Sequence, residues 1–347
     1  NTLRRCEMKA IVMAGGEGRR LRPVSGTLPK PMVPFLGRPL MEHILLHLKE
    51  EGFSRVCVTL RYQARTIMDY FGDGSRLGLR LEYRVEQEPL GTAGSVKNCR
   101  DFYGDEDFLV ISGDAACDFP LRRLMARHRE EKAAATLALY ESPEPLRYGL
   151  VLTDEGQRVR CFVEKPDWSR VVTNLVNTGV YVLSPRAMEA VPPGRPFDFG
   201  KELFPLLLEK GEKLLGLQPE GYWCDVGTPL SYYQCCVDAL EGRLKLSVPP
   251  EFFPEGAGEA REPEKNGICI DCPCKSRAGL MAELSRMSME LDADFSDGIR
   301  IARPRYRLHI APLPRSSAVR LSVQAEDTEF ARSLAFSARE LVESLNL

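Results

Sequence analysis

The sequence predicts an α/β protein: a mostly parallel sheet with helices on both faces, followed by a small α+β domain. Three observations carry that expectation. From Met8 to about Arg186, apolar runs of strand length alternate with amphipathic helical patterns, as in parallel strands joined by crossover helices. The first run, Ile11-Val12-Met13, breaks abruptly into Ala14-Gly15-Gly16, where the backbone can approach a ligand closely. Pro and Gly then gather between Glu241 and Gly267, and a different pattern follows. A chain of 347 residues has room for one large domain and a smaller one. The expected organisation is a domain over 8–240, a linker over 241–267 and a module over 268–347.

After the glycine loop, Leu40, Met41, Ile44, Leu45 and Leu48 recur at helical spacing. Arg55-Val-Cys-Val-Thr-Leu60 then reads as a strand. Phe108-Leu-Val-Ile111 is a further apolar run, ending at Ser112-Gly113-Asp114. Trp223-Cys-Asp225 closes a short strand-like segment. Beyond the linker the pattern gives a helix near 276–287, strands near 306–311 and 319–323, and a long helix from Asp327. The large domain is thus Rossmann-like in plan.

Apolar content of 44%, charged content of 28% and a net charge of −2 are those of an ordinary soluble protein, with no electrostatic case for nucleic acid or an anionic membrane. No apolar run approaches the roughly 20 residues that span a bilayer. The N-terminus lacks the charged-then-apolar plan of a signal peptide, so a cytoplasmic location is expected. Most of the eleven cysteines sit singly in apolar contexts, such as Cys57 in a strand, Cys99 in a helix and Cys161 beside Phe162, and read as small hydrophobes. Cys269-x-x-Cys272-Pro-Cys274 has thiol spacing of the zinc type but no fourth ligand close by, which argues against a metal there. His43 and His47 are four apart on a helix, at the edge of its apolar stripe, with no third ligand.

The chemistry concentrates in Gly15-Gly16-Glu17-Gly18-Arg19-Arg20-Leu21 and Pro29-Lys30-Pro31. Consecutive glycine amides can cradle phosphate oxygens, while Arg20 and Lys30 supply the opposite charge. The spacing fits neither the dinucleotide fingerprint nor the Walker loop. Five more segments follow in order: Glu88-Pro-Leu-Gly-Thr-Ala-Gly94, Ser112-Gly-Asp114, Phe162-Val-Glu-Lys-Pro166, Asn177-Thr-Gly-Val-Tyr181 and Gly221-Tyr-Trp-Cys-Asp-Val-Gly227. The set resembles the sugar-nucleotide pyrophosphorylases, nucleotidyltransferases acting on sugar 1-phosphates, over about Met8 to Leu240. Arg19 stands where that family usually has Thr or Ser.

The resemblance implies a reaction of sugar 1-phosphate with nucleoside triphosphate, giving a sugar nucleotide and pyrophosphate. A sugar phosphate is already ionised near neutral pH, so the demand is for positioning and cations rather than a general base. The family pattern places Arg20 and Lys30 on the triphosphate, Lys165 on the sugar phosphate, and Asp114 and Asp225 on Mg²⁺. Mg²⁺ takes few carboxylates beside phosphates and water, so two Asp suffice. Gly15, Gly16, Gly18, Glu86, Gly91 and Thr92 are the expected nucleotide contacts, and Gly149, Glu164, Asn177 and Thr178 the sugar contacts. A turn at a strand start remains the alternative reading of Thr178.

Base choice has a physical argument. Relatives that use UTP or dTTP commonly carry Gln five residues before the glycine of the Pro-Leu-Gly turn; here that position is Glu86. A carboxylate accepts guanine N1–H and N2–H together but is repelled by the acceptors of uracil and thymine. Gln87 serves a pyrimidine if the register moves by one. Pro89-Leu-Gly-Thr-Ala-Gly94 looks most like the mannose-1-phosphate guanylyltransferases. GTP with mannose 1-phosphate is therefore the leading expectation, with a dTTP- or UTP-dependent glucose-1-phosphate transferase and a non-catalytic sugar-nucleotide sensor as alternatives.

The C-terminal module resembles the last domain of the phosphohexomutases, through Asp297-Gly-Ile-Arg300 and Arg320-Leu-Ser-Val-Gln-Ala325. At the matching phosphate loop, Ala311-Pro-Leu-Pro-Arg315, the leading Arg and both hydroxyls are gone, so mutase activity is not expected. The module is expected to pack on the catalytic domain or on a second subunit, which keeps a homo-oligomer among the expectations.

Overall fold

The computed structural model describes residues 7–25, 27–164, 173–240, 242–246, 267–288, 291, 293–294, 298–313 and 318–345. Lys165, Asp297, residues 314–317 and all of the linker between 247 and 266 lie outside the described residues. The chain forms two compact units that do not follow chain order: Asn1–Glu17 with Met41–Asp225, and Gly18–Leu40 with Val226–Leu347.

The first unit is built on a mixed sheet of nine strands among the described residues. Its parallel half comprises β1 (Met8–Met13), β2 (Phe53–Leu60), β3 (Arg80–Val85) and β4 (Phe108–Ser112), in the order β3-β2-β1-β4. Ala10, Ile11 and Val12 have no exposed surface, because β1 is central and covered on both faces. The chain leaves β1 for β2 on one side and reaches β4 on the other, so β1 marks a topological switch point. Open α/β sheets bind ligands at such a point, outside the carboxyl ends of the strands. A short ribbon strand β5 (Ala115–Cys117) follows β4. Next come β6 (Ala135–Glu141), β7 (Leu150–Thr153), β8 (Val159–Val163), β9 (Leu175–Leu183), β10 (Leu214–Leu217) and β11 (Trp223–Asp225). β9 is antiparallel to β4, β6 and β7, so the sheet reverses direction in its second half.

Helices flank this sheet. Of these, α1 (Leu40–Glu50) buries Leu40, Met41, Ile44, Leu45 and Leu48, the stripe expected from their spacing. The helix α2 (Ala64–Phe71) follows β2 and buries Ile67 and Phe71. Further along, α3 (Gly91–Lys97) packs on β1 and α4 (Leu121–Glu131) on β6 and β9. Cys99 lies in the turn after α3 rather than in a helix; its Sγ is 3.7 Å from that of Cys57, both fully buried.

The second unit contains α5 (Pro229–Leu240), β12 (Gly267–Pro273), α6 (Arg277–Ser288), β13 (Ile299–Ala302), β14 (Tyr306–Pro312), β15 (Ala318–Ala325) and α7 (Thr328–Ser344). β12–β15 form a four-stranded antiparallel sheet in the order β12-β15-β14-β13, and Pro34–Phe35 pairs separately with Arg38–Pro39. The expected helix from Asp327 is α7, and Asp327 caps it: its side chain accepts from the Phe330 amide at 2.7 Å, meeting one of the unpaired amides of the first turn. α7 lays Leu334, Ala335, Ala338 and Val342 onto β12 and β15. β12 was not anticipated; its Ile268, Ile270 and Cys272 alternate inward at the strand period. Cys269 and Cys272, three apart on that strand, point to opposite faces, so they cannot share a metal ion. Burial pushes the Cys272 thiol up to about 11.

One buried charge carries a stability prediction. Glu340 on α7 has its Oε2 buried with no hydrogen-bond acceptance, and burial, then neighbouring Glu343, raises its pKa to about 7. The unfolded chain releases that proton near pH 4–5 and the folded chain only near 7. Stability therefore falls as pH rises between those values, and the cost is complete above 7. Glu340→Gln should remove that fall and stabilise the protein by up to about 3 kcal/mol at pH 8, with little effect at pH 4. Urea unfolding at the two pH values checks it.

Candidate active site

Four strand ends converge on one edge of the first unit's sheet. Ala14-Gly15-Gly16 follows β1, Arg61 follows β2, Glu86 follows β3 and Gly113-Asp114 follows β4. Parallel pairing forces this: Met13 is in register with both Thr59 of β2 and Ser112 of β4. The Gly113 amide donates to the Met13 carbonyl at 2.8 Å, which continues the pairing into the loops.

A two-stranded ribbon then brings the two expected carboxylates together. β5 pairs antiparallel with β11 so that Asp225 stands opposite Ala115, the residue after Asp114. The two aspartates are 111 positions apart in the chain, yet both line one open cleft of about 200 Å³. Gly149, Glu164, Asn177 and Thr178 line it too, together with Arg147, Tyr148 and Trp223. Six of the expected site residues thus share one cleft.

Those that bear the sugar-side roles are held by identifiable contacts. Between Asn177 and Tyr181 the pairing of β9 with β6 slips, leaving residues 178–180 as a bulge. Such a bulge re-aims side chains beside a site. The Asn177 amide donates to the Gly149 carbonyl at 2.8 Å, and its Nδ2 donates to the Tyr181 hydroxyl at 2.8 Å. Tyr181 is buried, and desolvation holds its hydroxyl protonated well above the ordinary range. Thr178 is a different case. Its hydroxyl donates to the Ala138 carbonyl at 2.7 Å and accepts from the Val180 amide, while its carbonyl accepts from Trp223 Nε1. The Thr178 hydroxyl is therefore engaged in the bulge, with its one proton given to Ala138.

Glu164 sits in a slot between two glycines. A methyl group added at Gly149 or at Gly200 would each lie 2.7 Å from Glu164 Oε2 and 2.9 Å from the Phe162 ring. Only residues without a side chain allow that carboxylate to stand there. Gly200 escaped the sequence reading. Its turn is capped by Asp198, whose Oδ1 accepts from the Gly200 and Lys201 amides.

The expected nucleotide contacts divide. Thr92 donates to Asp198 Oδ2 at 2.9 Å and accepts from the Phe199 amide, so its hydroxyl joins two segments 106 positions apart, although the residue itself is exposed. Gly91 opens α3 with a left-handed φ of 69°, its α-carbon against the Phe197 backbone. Glu86 is half-buried, and one of its oxygens accepts from the Leu90 amide at 3.3 Å, steadying the turn that leads into α3.

Gly18, Arg20 and Lys30 belong to the second unit. Gly18 adopts φ 63°, and a methyl group there would lie 2.6 Å from Lys30 Cβ. The Lys30 stem lies along this glycine and the residue is 5% exposed, whereas Arg19 and Arg20 are exposed on a single helical turn.

Known proteins share this architecture. The nucleotidyl transferase family model matches residues 9–242. A mannose-1-phosphate guanylyltransferase of Mycobacterium tuberculosis is 35% identical over 237 residues, covering 68% of this chain and 66% of that protein. A UTP–glucose-1-phosphate uridylyltransferase of Synechocystis is 34% identical over 251 residues, covering 69% of this chain and 65% of that protein. The chain therefore spans just under two thirds of the length of these relatives. Among solved structures, HddC from Yersinia pseudotuberculosis superposes with a TM-score of 0.58 at 28% identity, over 67% of this chain and 99% of that one. A putative glucose-1-phosphate thymidylyltransferase from Bacillus anthracis gives a TM-score of 0.61 at 24% identity, over 67% of this chain and 95% of that one, a likeness of fold. With a family match over two thirds of its length, the chain belongs to the nucleotidyl transferase family.

Proposed function

We propose that this protein is a sugar-1-phosphate nucleotidyltransferase that joins mannose 1-phosphate to GTP, releasing pyrophosphate. The observation that carries the reading is the cleft in which Asp114 and Asp225 stand beside Gly149, Glu164 and Asn177. Two carboxylates beside an amide and a carboxylate that can meet sugar hydroxyls form the site that joining two phosphate esters of this kind demands.

The donor set fits Mg²⁺. Asp114 and Asp225 are hard oxygen ligands brought to one open cleft by the β5–β11 ribbon, which leaves room for phosphate oxygens and water. Bound there, Mg²⁺ supplies charge neutralisation on the phosphates. The protein's own residues do the rest. Asn177 and Glu164 orient the sugar, and Lys165 neutralises its phosphate. Arg20 and Lys30 are the cations assigned to the triphosphate, where they neutralise charge on the departing pyrophosphate. Arg147, which also lines the cleft and donates to Glu144 at 2.6 Å, adds positive charge beside Asp225.

Guanine is favoured by Glu86 at the carboxyl end of β3. The M. tuberculosis relative is a guanylyltransferase, and a second HddC structure, also 28% identical, is a complex with GMP-PN. The similarly close Synechocystis uridylyltransferase makes the base the point to test. Glu86→Gln should lower kcat/KM for GTP by roughly ten- to a hundredfold, the loss of a charge-assisted hydrogen bond, and narrow the gap to dTTP and UTP. Competition between GTP and dTTP in one reaction reads that ratio. An unchanged ratio would move base recognition to Gln87 or the turn backbone. No membrane partner or nucleic acid enters this reading, and a cytoplasmic site of action accords with phosphorylated substrates.

A further inference from the structure

The lysine-bearing segment is not part of the sheet-bearing first unit. Residues Gly18–Leu40 form one compact unit with Val226–Leu347. Within that unit the segment is pinned by Tyr232 of α5. The Tyr232 hydroxyl donates to the Pro34 carbonyl at 2.7 Å, and its ring meets Phe35 edge-on with centroids 6.2 Å apart. Tyr232 is 2% exposed and Phe35 fully buried. The Val33 amide donates to the Lys30 carbonyl at 3.1 Å, so the pinned residues lie one turn from the lysine. α5 is fixed in its turn. Ser231 Oγ accepts from the Gly227 and Thr228 amides, the Ser231 amide donates to Thr228 Oγ1, and α7 packs along α5. The short helix Arg22–Ser25, between Arg20 and Lys30, also packs on α7.

We propose that the C-terminal unit acts as the support of the triphosphate-holding segment, with Tyr232 as the positioning residue that sets Lys30. This rests on the assignment of Lys30 to the triphosphate. A lysine acts on phosphate as a point charge on a flexible stem, so its effect depends on where the backbone holds that stem. The Lys30 stem is confined between Gly18 and the rest of the segment, and the Tyr232–Pro34 hydrogen bond fixes the segment at its other end. A displacement of about 1 Å at a positioning group can cost a hundredfold in rate. On this account the module contributes to nucleotide use without touching nucleotide.

The test uses the full chain. Tyr232→Phe keeps the ring against Phe35 and removes only the donor. It should raise the triphosphate KM and lower kcat, together about tenfold in kcat/KM, and leave the sugar 1-phosphate KM unchanged. Hydrogen exchange of the amides over 30–36 should quicken while those of β1 do not change. Tyr232→Leu, which loses ring and donor, should shift both further. Lys30→Ala in parallel separates the two claims. If Lys30→Ala is inactive while Tyr232→Phe matches wild type in triphosphate KM and in exchange, the positioning role is overturned and the lysine assignment stands. If Lys30→Ala keeps full turnover, the lysine assignment fails and the positioning role falls with it. Equal rises in both substrates' KM values would mark Tyr232 as a general structural residue and overturn the proposal.

Discussion

Replacing Asp225 by Ala is expected to reduce kcat/KM by about a thousandfold or more, since removing a carboxylate from a metal site forfeits several kcal/mol of charge stabilisation. The fold should survive. β11 contributes backbone pairing to β5, which an Ala at its end preserves, and Trp223 still donates to the Thr178 carbonyl. Asp114→Ala should behave alike, and the double variant should be little worse than either single one, because the two act as a unit. EDTA should reproduce the loss in the wild-type protein, with Mg²⁺ restoring it. Turnover that persists in EDTA, or in Asp225→Ala at a normal unfolding midpoint, contradicts the assignment.

Lys30→Ala is the second large effect. Removing one preorganised cation from a developing anionic oxygen costs about 2.7–4 kcal/mol, or roughly a hundred- to a thousandfold in kcat. Lys30 is buried with its stem against Gly18, so its place is set before ligand arrives. Lys30→Arg should rescue poorly. The guanidinium is longer and planar, and it would replace a point charge on a buried stem that runs along Gly18. Steady-state rates with triphosphate varied at saturating sugar phosphate distinguish this from a binding defect alone.

The parts of the fold that were legible in the sequence are those set by local pattern. β1 reads as a strand because Ile11, Val12 and Met13 precede glycines, and α1 as a helix because its apolar residues recur at three and four. The start of α7 is legible from Asp327 alone, since the capping interaction spans only three residues. β12 was missed because it abuts a Pro- and Gly-rich stretch, and its partner β15 comes some fifty residues later. The cleft was legible only through ordered motifs; no local rule places Asp225 beside Asp114. Roles inside the motifs were harder still. Thr92 and Thr178 sit within matched segments, yet their hydroxyls hold Asp198 and Ala138, contacts that depend on chain crossings invisible to spacing. Gly200 was passed over for the same reason, since its meaning comes from Glu164 arriving across the unit. That Gly18–Leu40 belongs with the C-terminal residues has no sequence signature at all.

Pyrophosphate release, measured for the full chain with each of GTP, UTP, dTTP and ATP against mannose 1-phosphate and glucose 1-phosphate in Mg²⁺, reads both the reaction and its choice of base. The highest kcat/KM is expected for GTP with mannose 1-phosphate, and pyrimidine triphosphates at least about tenfold poorer, the worth of one charge-assisted base contact. A clear preference for UTP or dTTP contradicts the guanine assignment, and the absence of pyrophosphate with every pair contradicts the enzyme itself.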